Sequence, residues 1–215
     1  MNQVAEKNTA GLPANMFEDD AAKGLGKISQ EDLALPFLKI LGQLSPEVNK
    51  RDGKYVEGAE PGMIFNSVSG ELYDGVKGID VIPCFYKLEY IEWKDRGDSP
   101  GRPIAIHTDP SIMQKTSRAD DGKDRLESGN YIEDTGNHFV YILDKDGKPL
   151  ESALITMKST QKKKSKLWNS MIQSRRMKGK NGFFCPPSWA TAYKLITTKE
   201  SNSQNSWYGW VVEFE

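Results

Sequence analysis

Between Gly78 and Lys94 apolar and aromatic residues recur on both parities. Ile79, Val81, Pro83, Phe85, Ile91 and Trp93 form one set, and Ile82, Cys84, Tyr86, Leu88 and Tyr90 the other. A two-residue repeat is that of a strand, and a strand apolar on both faces is a central one. Lys87 and Glu89 interrupt the first set midway, which predicts a long strand that bends or bulges. Alternation of the same kind predicts strands over Met63–Val68 and Glu71–Tyr73, separated by Ser69-Gly70. Phe139–Leu143 and Leu150–Met157 read as a hairpin, because Asp144-Lys145-Asp146-Gly147-Lys148 between them carries the Asp-Gly turn signal. Trp189–Thr198 and Ser206–Phe214 are two further strands around the polar turn Ser201–Asn205.

Two stretches switch to helical spacing. Ser29 with Glu31 and Asp32 is a helix-start signal before Leu33, Leu35, Phe37, Leu38, Ile40, Leu41 and Leu44, with Pro36 fitting the first helical turn. Later, Ser159 or Thr160 can cap a helix running to about Arg176. Its apolar face is Leu167, Trp168, Met171 and Ile172.

Residues 1–27 have no periodicity and are expected to be a disordered arm. Residues 28–215 then form one domain, with a long polar insertion over 94–137. Short strands are expected at its ends, Ile104–Ile106 and Tyr131–Ile132, and a mobile middle over Lys115–Ser128. The order is strands, insertion, hairpin, helix, two strands. This predicts a mainly β fold with minor α, an OB-fold-like Greek-key β-barrel with one late helix.

Composition narrows the function classes. No apolar run of the 215 residues approaches the roughly 18 needed to span a membrane, and the first residues lack the features of a secretory signal. Cys84 and Cys185 sit in apolar settings and are expected to be reduced, buried thiols of a cytosol-like compartment. With His107 and His138 as the only histidines, no zinc site is expected, and neither is any cofactor.

Charge is distributed unevenly. The net charge is -1, from 29 basic and 30 acidic residues, yet Ser152 to Lys199 holds eleven Lys or Arg and no Asp or Glu. Such segregation points to a polyanionic partner. The candidate phosphate contacts are Lys158, Lys162, Lys163, Lys164, Lys166, Arg175, Arg176, Lys178 and Lys180. Four of these lysines crowd the first helical turns, where the helix dipole is already positive, so a docked anion would relieve the conflict. Aromatic residues make up 10 % of the chain. Bases of a single strand stack on such rings at roughly 1–3 kcal/mol each. Tyr86, Tyr90, Trp93, Trp168, Trp189, Tyr193, Trp207 and Tyr208 are the candidate platforms, each of them also a candidate core residue. Lysines beside rings predict a single strand rather than a duplex.

Catalytic patterns are sparse. Asp80, Glu92 and Lys94 faintly resemble the D…ExK set of metal-dependent nucleases, in which two carboxylates hold Mg²⁺ and the lysine orients water. No turn signal separates Asp80 from Glu92, although such carboxylates belong on adjacent strands. Phosphate-loop, nucleophile-elbow and dinucleotide motifs are missing.

Several runs resemble a family of tailed-bacteriophage replication proteins. They are Glu60–Asn66, Glu71–Tyr73, Gly78–Cys84, Ile91–Trp93, Met157–Gln161, Trp168–Ser170 and Asn205–Tyr208, and the resemblance extends over about residues 30–215. That family is the phage-encoded single-stranded-DNA-binding proteins built on an OB-fold. The resemblance implies sequence-independent DNA binding and protection in replication or recombination, without catalysis, in the cytoplasm of the infected host. Phage replication proteins are implied partners, and a homodimer is one available oligomeric state. Many such proteins end in an acidic recruiting tail. This chain ends Val211-Val212-Glu213-Phe214-Glu215, so the resemblance gives no support for tail-mediated recruitment. Two other classes stay open: a Mg²⁺-dependent nuclease using Asp80, Glu92 and Lys94, and an adaptor for an acidic protein partner.

Overall fold

The computed structural model describes residues 34–95, 97, 101–203 and 205–214. The expected arm, residues 1–27, lies outside them. Beyond Ala34 the chain forms one unit.

Its strands are β1 (Phe37–Ile40), β2 (Ile64–Asn66), β3 (Leu72–Tyr73), β4 (Ile79–Trp93), β5 (Ala105–His107), β6 (Ser117–Arg118), β7 (Asp124–Arg125), β8 (Tyr131–Leu143) and β9 (Pro149–Met157). After α1 (Lys162–Ser174), the one α-helix among the described residues, come β10 (Met177–Gly179), β11 (Gly182–Phe184), β12 (Tyr193–Ser201) and β13 (Ser206–Phe214). Eight strands run in the order β13-β12-β4-β8-β9-β1-β2-β3, with β5, β6 and β7 as side branches, and β10–β11 form a separate ribbon. The β1–β9 pairing is parallel and the others antiparallel, so the sheet is mixed.

Mainly β with one late helix is what the sequence predicts, but the closed barrel is not formed. Among the described residues no ladder joins β13 to β1, β2 or β3, and the sheet is a curled half-barrel. Where β13 would meet β1, the Trp210 N–H donates instead to Gln161 Oε1 and the Tyr208 ring packs on Gly62. Pro36 and the residues after it, expected in a helix, run extended: the Pro36 carbonyl accepts from Leu154 N–H at 2.8 Å, Phe37 and Leu38 pair with β9, and Leu38–Ile40 pair with β2. An X-Pro step disfavours helix before it, and strand partners on both sides decide the rest.

β4 is the long bulged strand that the alternation predicts. Its register against β8 slips between Pro83 and Phe85, leaving Cys84 as the extra residue. The slip turns Phe85 outward while Tyr86 faces His138 across the ladder. Cys84 is thereby half-buried rather than buried, and Cys185 is exposed, contrary to the expectation for both thiols. The β8–β9 hairpin forms on its Asp-Gly signal. Asp144 Oδ1 accepts from Asp146 and Lys148 N–H, and Gly147 takes φ 75°, which glycine adopts without penalty.

The insertion carries β5, β6 and β7, a 3-10 turn over Pro110–Lys115 and an ion-pair knot. Lys123 and Arg125 hold Asp95, with Lys123 Nζ at 2.7 Å, and Arg125 also reaches Asp121 at 2.6 Å. Hydrogen bonds from Arg125 and then Lys123 hold the Asp95 carboxyl down at about 2.

One apolar core spans the half-barrel. Val81, Val140, Ile142, Ile155, Leu195 and Trp210 line one face, and α1 covers it with Trp168.

Candidate nucleic-acid interface

The nine candidate cations divide by their surroundings. At the start of α1, three have carboxylates. Lys158 Nζ lies 2.8 Å from Glu133 Oε2 and also over the Trp93 ring, 5.3 Å from its centre. Lys162, nearly buried, lies 3.1 Å from Asp134, close enough for an ion pair though not aligned as a hydrogen bond. Lys164 lies 3.1 Å from Glu200. These acids sit on β8 and β12, far away in sequence from the lysines they meet, so a run of basic residues cannot reveal them.

The expected side-chain cap is also absent. Ser159 adopts φ 50° and caps nothing; Gln161 does the docking instead. Its Oε1 accepts from Trp210 N–H at 2.8 Å, and its Nε2 reaches Glu200. Gly209 permits this, since a Cβ there would stand 2.6 Å from Gln161 Nε2. Burial pushes the Glu200 carboxyl up, but the donors from Lys164, Trp207 and Gln161 outweigh it and hold it below its ordinary range. Through Lys158, Gln161, Lys162 and Lys164 the helix start is therefore a structural joint, while Lys163 and Lys166 face solvent.

Beneath the joint, His138 is buried. Its Nε2 is 2.8 Å from Ser165 Oγ, and its ring stacks on Trp168 at 4.4 Å and meets Tyr86 at 4.8 Å. Burial first, and then the Lys162 charge, push its pKa down to about 3.

Lys163, Lys166, Arg175, Arg176, Lys178 and Lys180 are exposed, and among the described residues none is paired with a carboxylate. Arg176 Nη1 donates to the Gln173 and Arg175 carbonyls at 2.8 Å, which closes the helix end while leaving its charge unneutralised. Arg175 lies over the Phe214 ring at 5.4 Å. The chain then enters the β10–β11 ribbon, where Lys178 stands opposite Phe183 and Met177 opposite Phe184. Phe184 lies against Gly179, where a Cβ would come within 3.2 Å of the ring. Phe183, on the other face beside Lys178, is 76 % exposed. Next, Ser188 Oγ donates to the Cys84 carbonyl at 3.3 Å, which holds the turn Ser188–Ala190 on the β4 bulge and leaves Trp189 61 % exposed.

The predicted platforms fare unevenly. Trp168 and Tyr193 are fully buried and pack edge to face at 5.9 Å, so neither can receive a base in this fold. Tyr86, Tyr90 and Trp93 are half-buried, Tyr86 against His138 and Trp93 under Lys158. Trp207 donates its indole N–H to Glu200 at 2.9 Å, and the Tyr208 ring packs on Gly62. Trp189 alone among the eight is widely exposed. Phe183, Phe184 and Phe85 were missed. For Phe183 and Phe184 the available signal is two turn glycines, Gly179 and Gly182, before adjacent phenylalanines and beside Lys178 and Lys180.

The carboxylates of the nuclease pattern do not converge. Asp80 and Glu92 lie on one strand, twelve residues or about 40 Å of strand length apart, too far to share an ion. Asp80 pairs with Lys194 at 2.9 Å. Glu92 is held by Asn130 at 2.6 Å and by His107 at 2.9 Å, and the Asn130 bond foremost lowers its pKa. Among the described residues no three His, Cys, Asp or Glu side chains are arranged to hold a metal, and no helix is long and apolar enough to cross a membrane.

No curated protein and no solved structure matches the chain. A family match does exist. It extends from residue 5 to residue 215, nearly the whole length, and its description is Pam3 phage gp34-like protein. The protein, whose described residues form a curled half-barrel with a basic, aromatic ribbon after α1, therefore belongs to the Pam3 phage gp34-like family of bacteriophage proteins.

Proposed function

We propose that this phage protein binds single-stranded DNA without regard to sequence, and protects it during DNA replication or recombination in the cytoplasm of the infected host. The observation that carries this reading is the stretch from Arg175 to Trp189. Four cations that have no carboxylate partner among the described residues, Arg175, Arg176, Lys178 and Lys180, adjoin three rings open to solvent, Phe183, Phe184 and Trp189. Cations follow a phosphate backbone, while exposed rings offer stacking that paired bases of a duplex cannot use. The ribbon stands apart from the main sheet, so it can meet a strand without disturbing the core. Strand binding of this kind needs no bond to be broken, and the separation of Asp80 from Glu92 gives the nuclease reading no support.

The test is titration of a fluorescent oligo(dT) at increasing salt. About four phosphate contacts predict a log–log slope near -3, at roughly -0.7 per contact for single strands, and weaker binding to duplex of equal length. A salt-independent affinity, or tighter binding to duplex, overturns the proposal.

A further inference from the structure

The half-barrel leaves a seam where it fails to close, and the two walls of that seam are backbone edges. β1 keeps its β9 partner only as far as Leu38. Leu41 N–H donates to the Met63 carbonyl and its own carbonyl accepts from Gly62 N–H, so both groups turn toward the β2 side. Ile40, one residue earlier, turns its backbone groups the other way. On the opposite wall Trp210 N–H points away from β12 to reach Gln161, and Tyr208, two residues earlier in the strand, shares that direction. Between the walls lies a groove of about 550 Å³, lined by residues 40–44 and 205–208.

Among the described residues the lining contains rings (Trp207, Tyr208), amides (Gln43, Asn205) and aliphatic side chains, and no charged side chain. A neutral, flat group with donors and acceptors on its rim suits such a lining, and a phosphate does not. The phosphate has a separate place. Lys199 stands opposite Tyr208 in the β12–β13 ladder, is exposed, and among the described residues has no carboxylate partner. A neutral peptide strand in the seam would have no use for that ammonium, whereas a nucleotide would.

We infer that the seam between β1 and β13 is a nucleobase pocket, in which the bound single strand lays a base between the backbone edges and a phosphate on Lys199. This rests on the proposed strand binding and adds a second contact, apart from the β10–β11 ribbon. Gly42 offers a way to fill the pocket, because a Cβ there meets nothing closer than Ser45 Oγ at 3.9 Å.

The experiment compares wild type, Gly42→Phe and Lys199→Gln for binding to oligo(dT) and to an abasic oligomer of the same length. Gly42→Phe is expected to weaken oligo(dT) binding about tenfold, the worth of one stacked base, and to leave abasic binding unchanged. Lys199→Gln weakens both. Should Gly42→Phe fail to fold, the pair Gln43→Ala and Asn205→Ala, which removes the amides without adding bulk, is read in the same way. If the pocket variants bind oligo(dT) like wild type while loss of the ribbon cations weakens it, the pocket is refuted and the ribbon reading stands. If wild type does not bind oligo(dT) at all, the strand-binding reading itself falls. If wild type instead takes up a ten-residue Val-Thr repeat peptide, and Gly42→Phe abolishes that alone, the seam accepts a peptide strand and the nucleobase assignment is overturned.

Discussion

The start of α1 and its end carry similar positive charge in different circumstances. Lys158, Lys162 and Lys164 at the start meet Glu133, Asp134 and Glu200, and the side chain of Gln161 pins the same turn to β13. Arg175, Arg176, Lys178 and Lys180 beyond the end meet no carboxylate among the described residues and adjoin open rings. The difference teaches that a count of cations along a chain is not a count of cations available to a ligand. Charge already spent on an internal partner holds the fold together; charge left over can recruit a polyanion.

The sharpest way to break this comparison is at Trp168, which lies in the same basic block. If the helix start is structural, Trp168→Ala should cost about 3–5 kcal/mol of stability, as truncation of a buried tryptophan does, read as a shift of the urea midpoint. A variant with unaltered stability but weakened oligo(dT) binding would make Trp168 a platform and reverse the assignment.

A smaller effect comes from His138 under the same joint. Its folded pKa, pushed down to about 3, lies below the ordinary histidine value of about 6.5. Below pH 6.5 the unfolded chain takes up a proton that the fold refuses, so stability is full above that pH and falls as pH drops toward 3. The slope is at most about 1.4 kcal/mol per pH unit. Urea midpoints at pH 7.5, 6 and 5 should decline for wild type and decline less for His138→Phe. Equal slopes for the two proteins would remove His138 from the account. The Asp95 knot does not confuse this window, because a carboxyl held near 2 loses its contribution only below the usual carboxylate range.

How much of this was legible in the sequence follows from the range of the interactions. β4 with its bulge, the β8–β9 hairpin, α1 and the last two strands all rest on local periodicity and turn residues, and each was predicted. β1 was misread as helix because its strand character comes from β2 and β9, distant in sequence, and not from its own spacing. Closure of the barrel failed as a prediction for a related reason: whether β13 meets β1 depends on where Gln161 and Tyr208 dock, at Trp210 and Gly62. At the candidate site, the acid-free block shows where the cations lie, but the partners of three of them, Glu133, Asp134 and Glu200, lie outside the block. Ring exposure was the least legible property. The candidate platforms are all tryptophan or tyrosine, while the ring most open to solvent among the ribbon residues is Phe183.

The central claim is that the ribbon, and not the helix start, meets the phosphates. The direct measurement is the salt dependence of oligo(dT) affinity for two variants. One carries Arg175→Gln, Lys178→Gln and Lys180→Gln; the other carries Lys158→Gln and Lys164→Gln. The ribbon variant should lose about 2 from the magnitude of the log–log slope, three contacts at roughly 0.7 each, and the helix-start variant should keep the wild-type slope. A helix-start variant that loses slope while the ribbon variant keeps it would contradict the account.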